Sequence, residues 1–284
     1  MDSTRPSDKA GEIIESLRIE NPSEIHVRDI AMELGAFVRE RMLERSEARL
    51  VRKGSLAIIT VNSGIPEEGR RRFAVAHELG HFKLHTNSQL IFCSETDMYI
   101  WNENKPQEIE ANEFASSLLM PKRIFVKYRK SEPPNMNTVM ELAREFRTTL
   151  TATALRYVQL SIEPCAVVIS KDSIIRWYKK STDFDFHVKV GEALSSHSYA
   201  FDFYKGINPP IKPDKVPADA WLAGNIDKEA EIFEHSLPLP NYNVVLSLLW
   251  INEDIHSAFR QRDDDEPEFD LTNPFTCDQK RWRW

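Results

Sequence analysis

Two histidines one helical turn apart, with a glutamate directly after the first, constrain this chain more than any other stretch: His77-Glu78-Leu79-Gly80-His81. At that spacing both imidazoles leave one face of a helix and can reach a single ion. Glu78 stands aside from that line, placed to take a proton from a nearby water instead of ligating. Phe73-Ala74-Val75-Ala76 leads in with neither Gly nor Pro, and Leu79, Phe82 and Leu84 supply apolar faces, so a buried helix is expected. With 8 His in 284 residues, the three fixed positions coincide by chance in roughly two chains in a hundred. Two core histidines beside a surface glutamate are therefore the weaker reading.

A zinc ion held by two His wants a third protein ligand and a fourth position for water. A third His at the metzincin spacing is missing, because Leu84 stands where that pattern needs Gly and Asn87 where it needs His. His85 shares the face but lies two steps from His77, about 12 Å along the axis, so it is expected to pack or support. A carboxylate from another helix is the better candidate, and Pro106 to Met120, stopped by Pro121, is that helix. Glu108, Glu110 and Glu113 compete for the role. Ala111, Asn112, Ala115 and Leu119 fall on the stripe that contains Glu108, whereas Glu110 lies about 200° round and Glu113 is off the stripe. The helix-face argument selects Glu108. Asn112, one turn later, is placed to orient a ligand. Two His, one Glu and water make a catalytic arrangement, not a closed structural one.

Around this site the periodicity predicts helices over Lys9–Leu17 and Val27–Met42, with a polar, disordered start over residues 1–11. Leu56–Asn62 is β-branched and reads as a strand. Helix-rich sequence follows to about Ser161, where Ile162-Glu163-Pro164 changes the character of the chain. Beyond it, Cys165–Ser170 and Ser173–Tyr178 resemble a hairpin, and short strands are expected at His187–Val190, Ser198–Phe203 and Asn243–Ile251, with a Pro-rich loop over Asn208–Pro217. Three cysteines, Cys93, Cys165 and Cys277, are odd in number and widely spaced, which does not suit a disulfide framework. The first thirty residues hold no apolar run of leader length and no stretch is long enough to span a bilayer, so a cytoplasmic chain with no membrane partner is expected. A net charge of −7 argues against a protein that coats nucleic acid. Basic patches at Arg70–Arg72, Lys122–Lys130 and Lys280–Trp284 read first as solvated faces.

Arg72-Phe73-x-x-Ala76-His77-Glu78-Leu79-Gly80-His81, followed by Glu108-x-x-Ala111-Asn112-x-Phe114-Ala115-x-x-Leu118-Leu119-Met120-Pro121, resembles the ImmA/IrrE family of metallopeptidases. The similarity covers roughly residues 25–160, and the upstream segment Leu34-Gly35 to Asn62 also looks like that family. It implies a zinc-dependent endopeptidase of gluzincin type, with His77, His81 and Glu108 as ligands and Glu78 as general base. It also implies the substrate: a helix-turn-helix (XRE-type) repressor, cut to switch on stress, DNA-damage or phage-defence genes. Asn137–Leu160 resembles the helix-turn-helix-like segment that follows the family's core. Only Arg144, Arg147 and Arg156 there offer donors to DNA, so a helical hairpin that buttresses the site or holds the partner is the favoured reading. The expected fold is α+β: a flexible or helical start (1–24), a mainly helical zincin-like peptidase core (25–134), the helix-turn-helix-like segment (135–161) and a C-terminal α+β domain (162–284). Radiation-response members carry a GAF-type sensor in the last position, so sensing or partner binding is expected there.

Restraint is a further expectation. Cys93 lies between the two metal motifs among polar neighbours, and a thiolate ligates zinc better than water, so Cys93 is expected on a loop that can fill the fourth position until oxidised. Single-stranded DNA is the expected activator, since basic residues beside Trp282 and Trp284 can track phosphates and stack bases. Tyr99, Tyr128 and His85 are open candidates for stabilising the oxyanion. The rival reading is a regulator without catalysis, which binds a repressor or DNA. Pure recognition would need no base, and Glu78 is present.

Overall fold

The computed structural model describes residues 5–44, 46–85, 90–93, 106–129, 133–224, 226–227 and 229–252. Helix α1 (Pro6–Ser16) opens the chain, started by Pro6 in the first turn, where a missing N–H costs nothing. The expectation of disorder over residues 1–11 therefore fails from Pro6 onward. Ala10, Ile13 and Ile14 are what fix the helix to the core.

Helix α2 (Val27–Glu33) is much shorter than the helix expected over Val27–Met42. Gly35, at φ +85°, ends it, and a Cβ there would lie 2.9 Å from the carbonyl oxygen of Ser55. The chain then continues as β1 (Ala36–Arg41). Local spacing suggests a helix, but β3 (Leu56–Asn62) supplies a parallel ladder, from Ala36 beside Ala57 to Arg41 beside Asn62. Between them β2 (Ala48–Lys53) pairs antiparallel with β3. Helix α3 (Glu68–Leu84) carries the two histidines, and β4 (Leu90–Cys93) then joins β2 to give a four-stranded sheet of order β1-β3-β2-β4.

Among the described residues four helices follow: α4 (Pro106–Leu119), α5 (Lys122–Tyr128), α6 (Met136–Phe146) and α7 (Leu150–Gln159). Asn135 and Thr149 cap the last two by accepting from Thr138 N and Ala152 N. Arg156 of α7 is buried and donates to the Met120 carbonyl, which withdraws it from any DNA-reading role.

The C-terminal half is built on a five-stranded antiparallel sheet, β6-β5-β9-β8-β7. Its strands are β5 (Cys165–Lys171), β6 (Ile174–Lys180), β7 (Asp214–Pro217), β8 (Glu231–Leu239) and β9 (Val244–Trp250). The β5–β6 hairpin turns on Asp172 and Ser173, both left-handed at φ 54° and 60°, so the turn falls one residue later than the gap between the two expected strands. Ser198–Phe203, expected as a strand, is instead helix α8 (Tyr199–Tyr204), capped by Ser198. Two further expectations are corrected: Val188 makes an isolated bridge to Leu222 in place of a strand at His187–Val190, and the Pro-rich loop ends in β7.

Strands β5 and β9 are apolar on both faces, and that explains how the halves join. Cys165, Val167, Leu246 and Leu248 belong to the core that runs back through the helices to Ala10. Ala166, Val168, Val245 and Leu249 point the other way, into a second core around Trp221 and Phe184. Met136 N also donates to Nδ1 of buried His235, tying the start of α6 to β8. The chain is thus α+β, and no helix among the described residues is long and apolar enough to cross a membrane.

Candidate metal centre

Helix α3 is buried along most of its length, including His77, Glu78 and His81. It packs against α4 at very short range because residue 80 is Gly. A Cβ there would lie 3.1 Å from Ala111 Cα and 3.2 Å from both Ala111 O and a Phe114 ring carbon. This close approach lets a carboxylate on the first turn of α4 reach the histidine face of α3.

That carboxylate is Glu108. Its Oε2 lies 3.1 Å from His77 Nε2 and 3.4 Å from His81 Nε2, and the two Nε2 atoms are 3.1 Å apart. Glu110 is half exposed and Glu113 lines a separate cleft. The partners of the imidazoles dictate which nitrogen carries hydrogen. His77 Nδ1 is 2.9 Å from Asn112 Oδ1, an acceptor, so Nδ1–H donates and Nε2 keeps a lone pair. His85 Nε2–H donates to Glu110 Oε2 at 2.8 Å, so His85 Nδ1 accepts from His81 Nδ1–H at 3.0 Å. His81 Nε2 then also presents a lone pair. Three electron-pair donors converge on one point.

Electrostatics agree with this assignment. Burial holds His81 below the ordinary imidazole value despite the nearby Glu108, so it stays neutral. A tetrahedral ion with bonds of about 2.0–2.1 Å sets its ligands about 3.3–3.4 Å apart. The observed edges of 3.1, 3.1 and 3.4 Å fit such an ion. Two imidazoles and one carboxylate suit a zinc-like transition metal better than magnesium or calcium. Among the described residues, His77, His81 and Glu108 form a cluster that can hold a metal.

Asn112 sits where the stripe argument puts it. The bridge from His81 through His85 to Glu110 is not legible in the sequence, since it needs a second helix to bring Glu110 alongside. Tyr128 is engaged elsewhere, its ring edge-on to Phe146 and its hydroxyl 3.5 Å from Asn21 Oδ1. Cys93, expected on a free loop, is the last residue of β4 and pairs with Ala48 in the ladder. Tyr99 and the Lys280–Trp284 segment on which the single-stranded DNA expectation rests lie outside the described residues.

Known proteins bear on this geometry in three ways. An "Uncharacterized immunity region protein 2" of Bacillus phage phi105 is 34% identical over 74 residues, 26% of this chain and 44% of that protein. The chain thus matches less than half of that relative's length. A solved "Mycobacterium tuberculosis transcriptional regulator" superposes with a TM-score of 0.55 at 15% identity, covering 86% of this chain and 75% of that one, so the likeness is one of fold and extends across both halves. Residues 27–157 match the Peptidase_M78 family model, described as an IrrE N-terminal-like domain, and they contain His77, Glu78, His81, Glu108 and Asn112. That stretch of the chain is therefore a metallopeptidase-type domain of the ImmA/IrrE family.

Proposed function

We propose that the chain is a zinc endopeptidase that cuts a helix-turn-helix repressor of XRE type at one or two bonds. The observation that carries this reading is the triangle of His77 Nε2, His81 Nε2 and Glu108 Oε2, three lone pairs at tetrahedral spacing. When bound there, zinc supplies Lewis acidity toward a scissile carbonyl and acidifies a water. Glu78, buried on the same helix one residue after His77, takes the proton of the attacking water. As the new C–O bond forms and the C–N bond breaks, Glu78 returns that proton to the leaving amine. Asn112 and His85 hold the imidazoles in the ligating tautomer throughout.

The substrate rests on the resemblance to the ImmA/IrrE family, and the family model and the phage immunity-region relative support a regulatory role. Derepression of stress, DNA-damage or phage-defence genes in the cytoplasm is the corresponding biological role. Residues 162–284 are assigned to sensing or partner binding, behind the peptidase core (25–134) and the helical hairpin (135–161). Glu78→Gln is the test. It should keep its zinc and lose repressor cleavage by about 10²–10⁴-fold, the worth of a general base. A Glu78→Gln protein that cleaves like wild type would refute catalysis by this residue, and broad digestion of casein would refute the narrow substrate.

A further inference from the structure

Beside the metal centre lies a cleft of about 590 Å³, in the size range of small-molecule sites, and the proposed peptidase reaction does not use it. One wall belongs to the catalytic half, with Leu155 of α7, and the other to the C-terminal sheet, with Ile169 of β5, Trp177 of β6 and Leu239 of β8. All four side chains are only partly buried, so apolar surface is left open inside the cleft.

The catalytic end of the cleft is formed by Phe73 and Asn112. Asn112 Oδ1 accepts from His77 Nδ1, and the Phe73 ring lies one turn from His77 with centroids 6.4 Å apart. The cleft therefore meets His77 on its Nδ1 side, away from the Nε2 atoms that converge on the metal point. An occupant would press on the groups that orient a ligand without competing for the ion.

The charge and hydrogen-bonding state of the lining decides the class of occupant. Its charges balance, Glu67 and Glu113 against Arg70 and Lys179. Arg70 is ion-paired with Glu47, and the Tyr242 hydroxyl donates to Glu67 at 2.8 Å. The Thr149 hydroxyl accepts from Ala152 N. The cleft thus offers apolar walls and no net counter-charge. We propose that it is a binding site for an uncharged, largely apolar small molecule, whose presence is felt at the metal centre through Asn112 and Phe73. The coupling rests on the metal reading above; the binding does not.

Nile red, uncharged and apolar, is a suitable probe, titrated into the zinc-loaded full chain by fluorescence. One saturable site is expected. Ala152→Trp, which fills the cleft, and Leu155→Arg, which charges its wall, should each weaken it at least tenfold while the far-ultraviolet circular dichroism stays native. Zinc affinity, measured by chelator competition, should shift by about fivefold or more at saturating dye, and dye affinity should shift by the same factor on zinc removal, because coupling is reciprocal. No saturable binding, or wild-type binding in both folded variants, would overturn the site. Displacement of the dye by intact repressor would make the cleft a protein seat and overturn the small-molecule occupant. Dye affinity that ignores zinc would overturn the coupling. A chain that takes up no zinc at all would instead refute the metal reading, with the dye isotherm still deciding the cleft.

Discussion

Glu108 in the N-terminal half is partly buried and Glu234 in the C-terminal half is fully buried, and the surroundings of the two carboxyl groups differ in kind. Around Glu234, in the C-terminal half, the hydrogen-bonding neighbours are donors. Tyr199 N and the Trp221 indole donate to Oε2, and Ala200 N and the Ser236 hydroxyl donate to Oε1. Beside Glu108 stand His77 Nε2 and His81 Nε2, at 3.1 and 3.4 Å. A carboxylate ringed by donors is complete within the protein, and its role is to fasten α8, Trp221 and β8 together. A carboxylate grouped with two imidazole nitrogens makes a ligand set that a cation can join. Burial alone therefore does not mark a site; what distinguishes Glu108 is its grouping with two imidazoles that can share a metal with it.

The largest expected effect tests that contrast directly. Glu108→Ala or His77→Ala should lower zinc affinity by more than about 100-fold, since even outer hydrogen-bond partners typically cost 10–100-fold. Glu234→Gln should leave zinc affinity unchanged. Metal analysis and chelator competition read both, and zinc loss in Glu234→Gln would erase the distinction.

Next in size is the reverse experiment. Glu234→Ala strands buried donors at about 1–3 kcal/mol each, so urea unfolding should show a loss of several kcal/mol. Its pH dependence sharpens the point. Burial pushes the Glu234 carboxyl above its ordinary 4.5, against the pull of Ser236, Trp221, Ala200 and Tyr199. A raised folded value means that this contribution to stability is fully present below about 4.5 and is lost as pH rises through the folded value. Wild type should therefore lose urea resistance relative to Glu234→Gln as pH climbs from 4.5, and parallel pH profiles for the two proteins would count against the assignment.

Smaller again is Asn112→Ala, which removes the acceptor that fixes the His77 tautomer. Zinc affinity should fall by about 10–100-fold with the fold intact. The smallest expected change is in Glu110→Gln, because Glu110 is half exposed and acts through two imidazoles. An effect there as large as that of Glu108→Ala would mean that the metal sits elsewhere on α4.

Much of the site is legible in the amino-acid sequence, and for a local reason. Two histidines at i and i+4 share a face in any α-helix, so His77 and His81 need nothing beyond their own helix. The stripe of Ala111, Asn112, Ala115 and Leu119 likewise orients Glu108 from spacing on one helix. Legibility stops where a partner distant in sequence decides. Ala36–Arg41 reads as helix until β3 offers its ladder, and Ser198–Phe203 reads as strand until Ser198 caps the helix instead. The Glu234 cluster escapes sequence reasoning because its donors come from residues 199, 200, 221 and 236, which no single window contains.

By itself, then, the amino-acid sequence determined the chemistry available to this protein: two imidazoles and a carboxyl group on one helix, a carboxylate on a second, and an α+β chain around them. Only the tertiary structure decided that these groups meet. It does so through Gly80, whose missing side chain lets α3 and α4 approach until Glu108 stands within 3.4 Å of both imidazoles. It also decided, through His85 and Glu110, which nitrogen of His81 faces Glu108, and placed the apolar cleft against the back of His77. The physical reason is one of range: side-chain periodicity is set within a few residues, whereas lone-pair convergence and cavity shape depend on contacts between elements far apart in the chain.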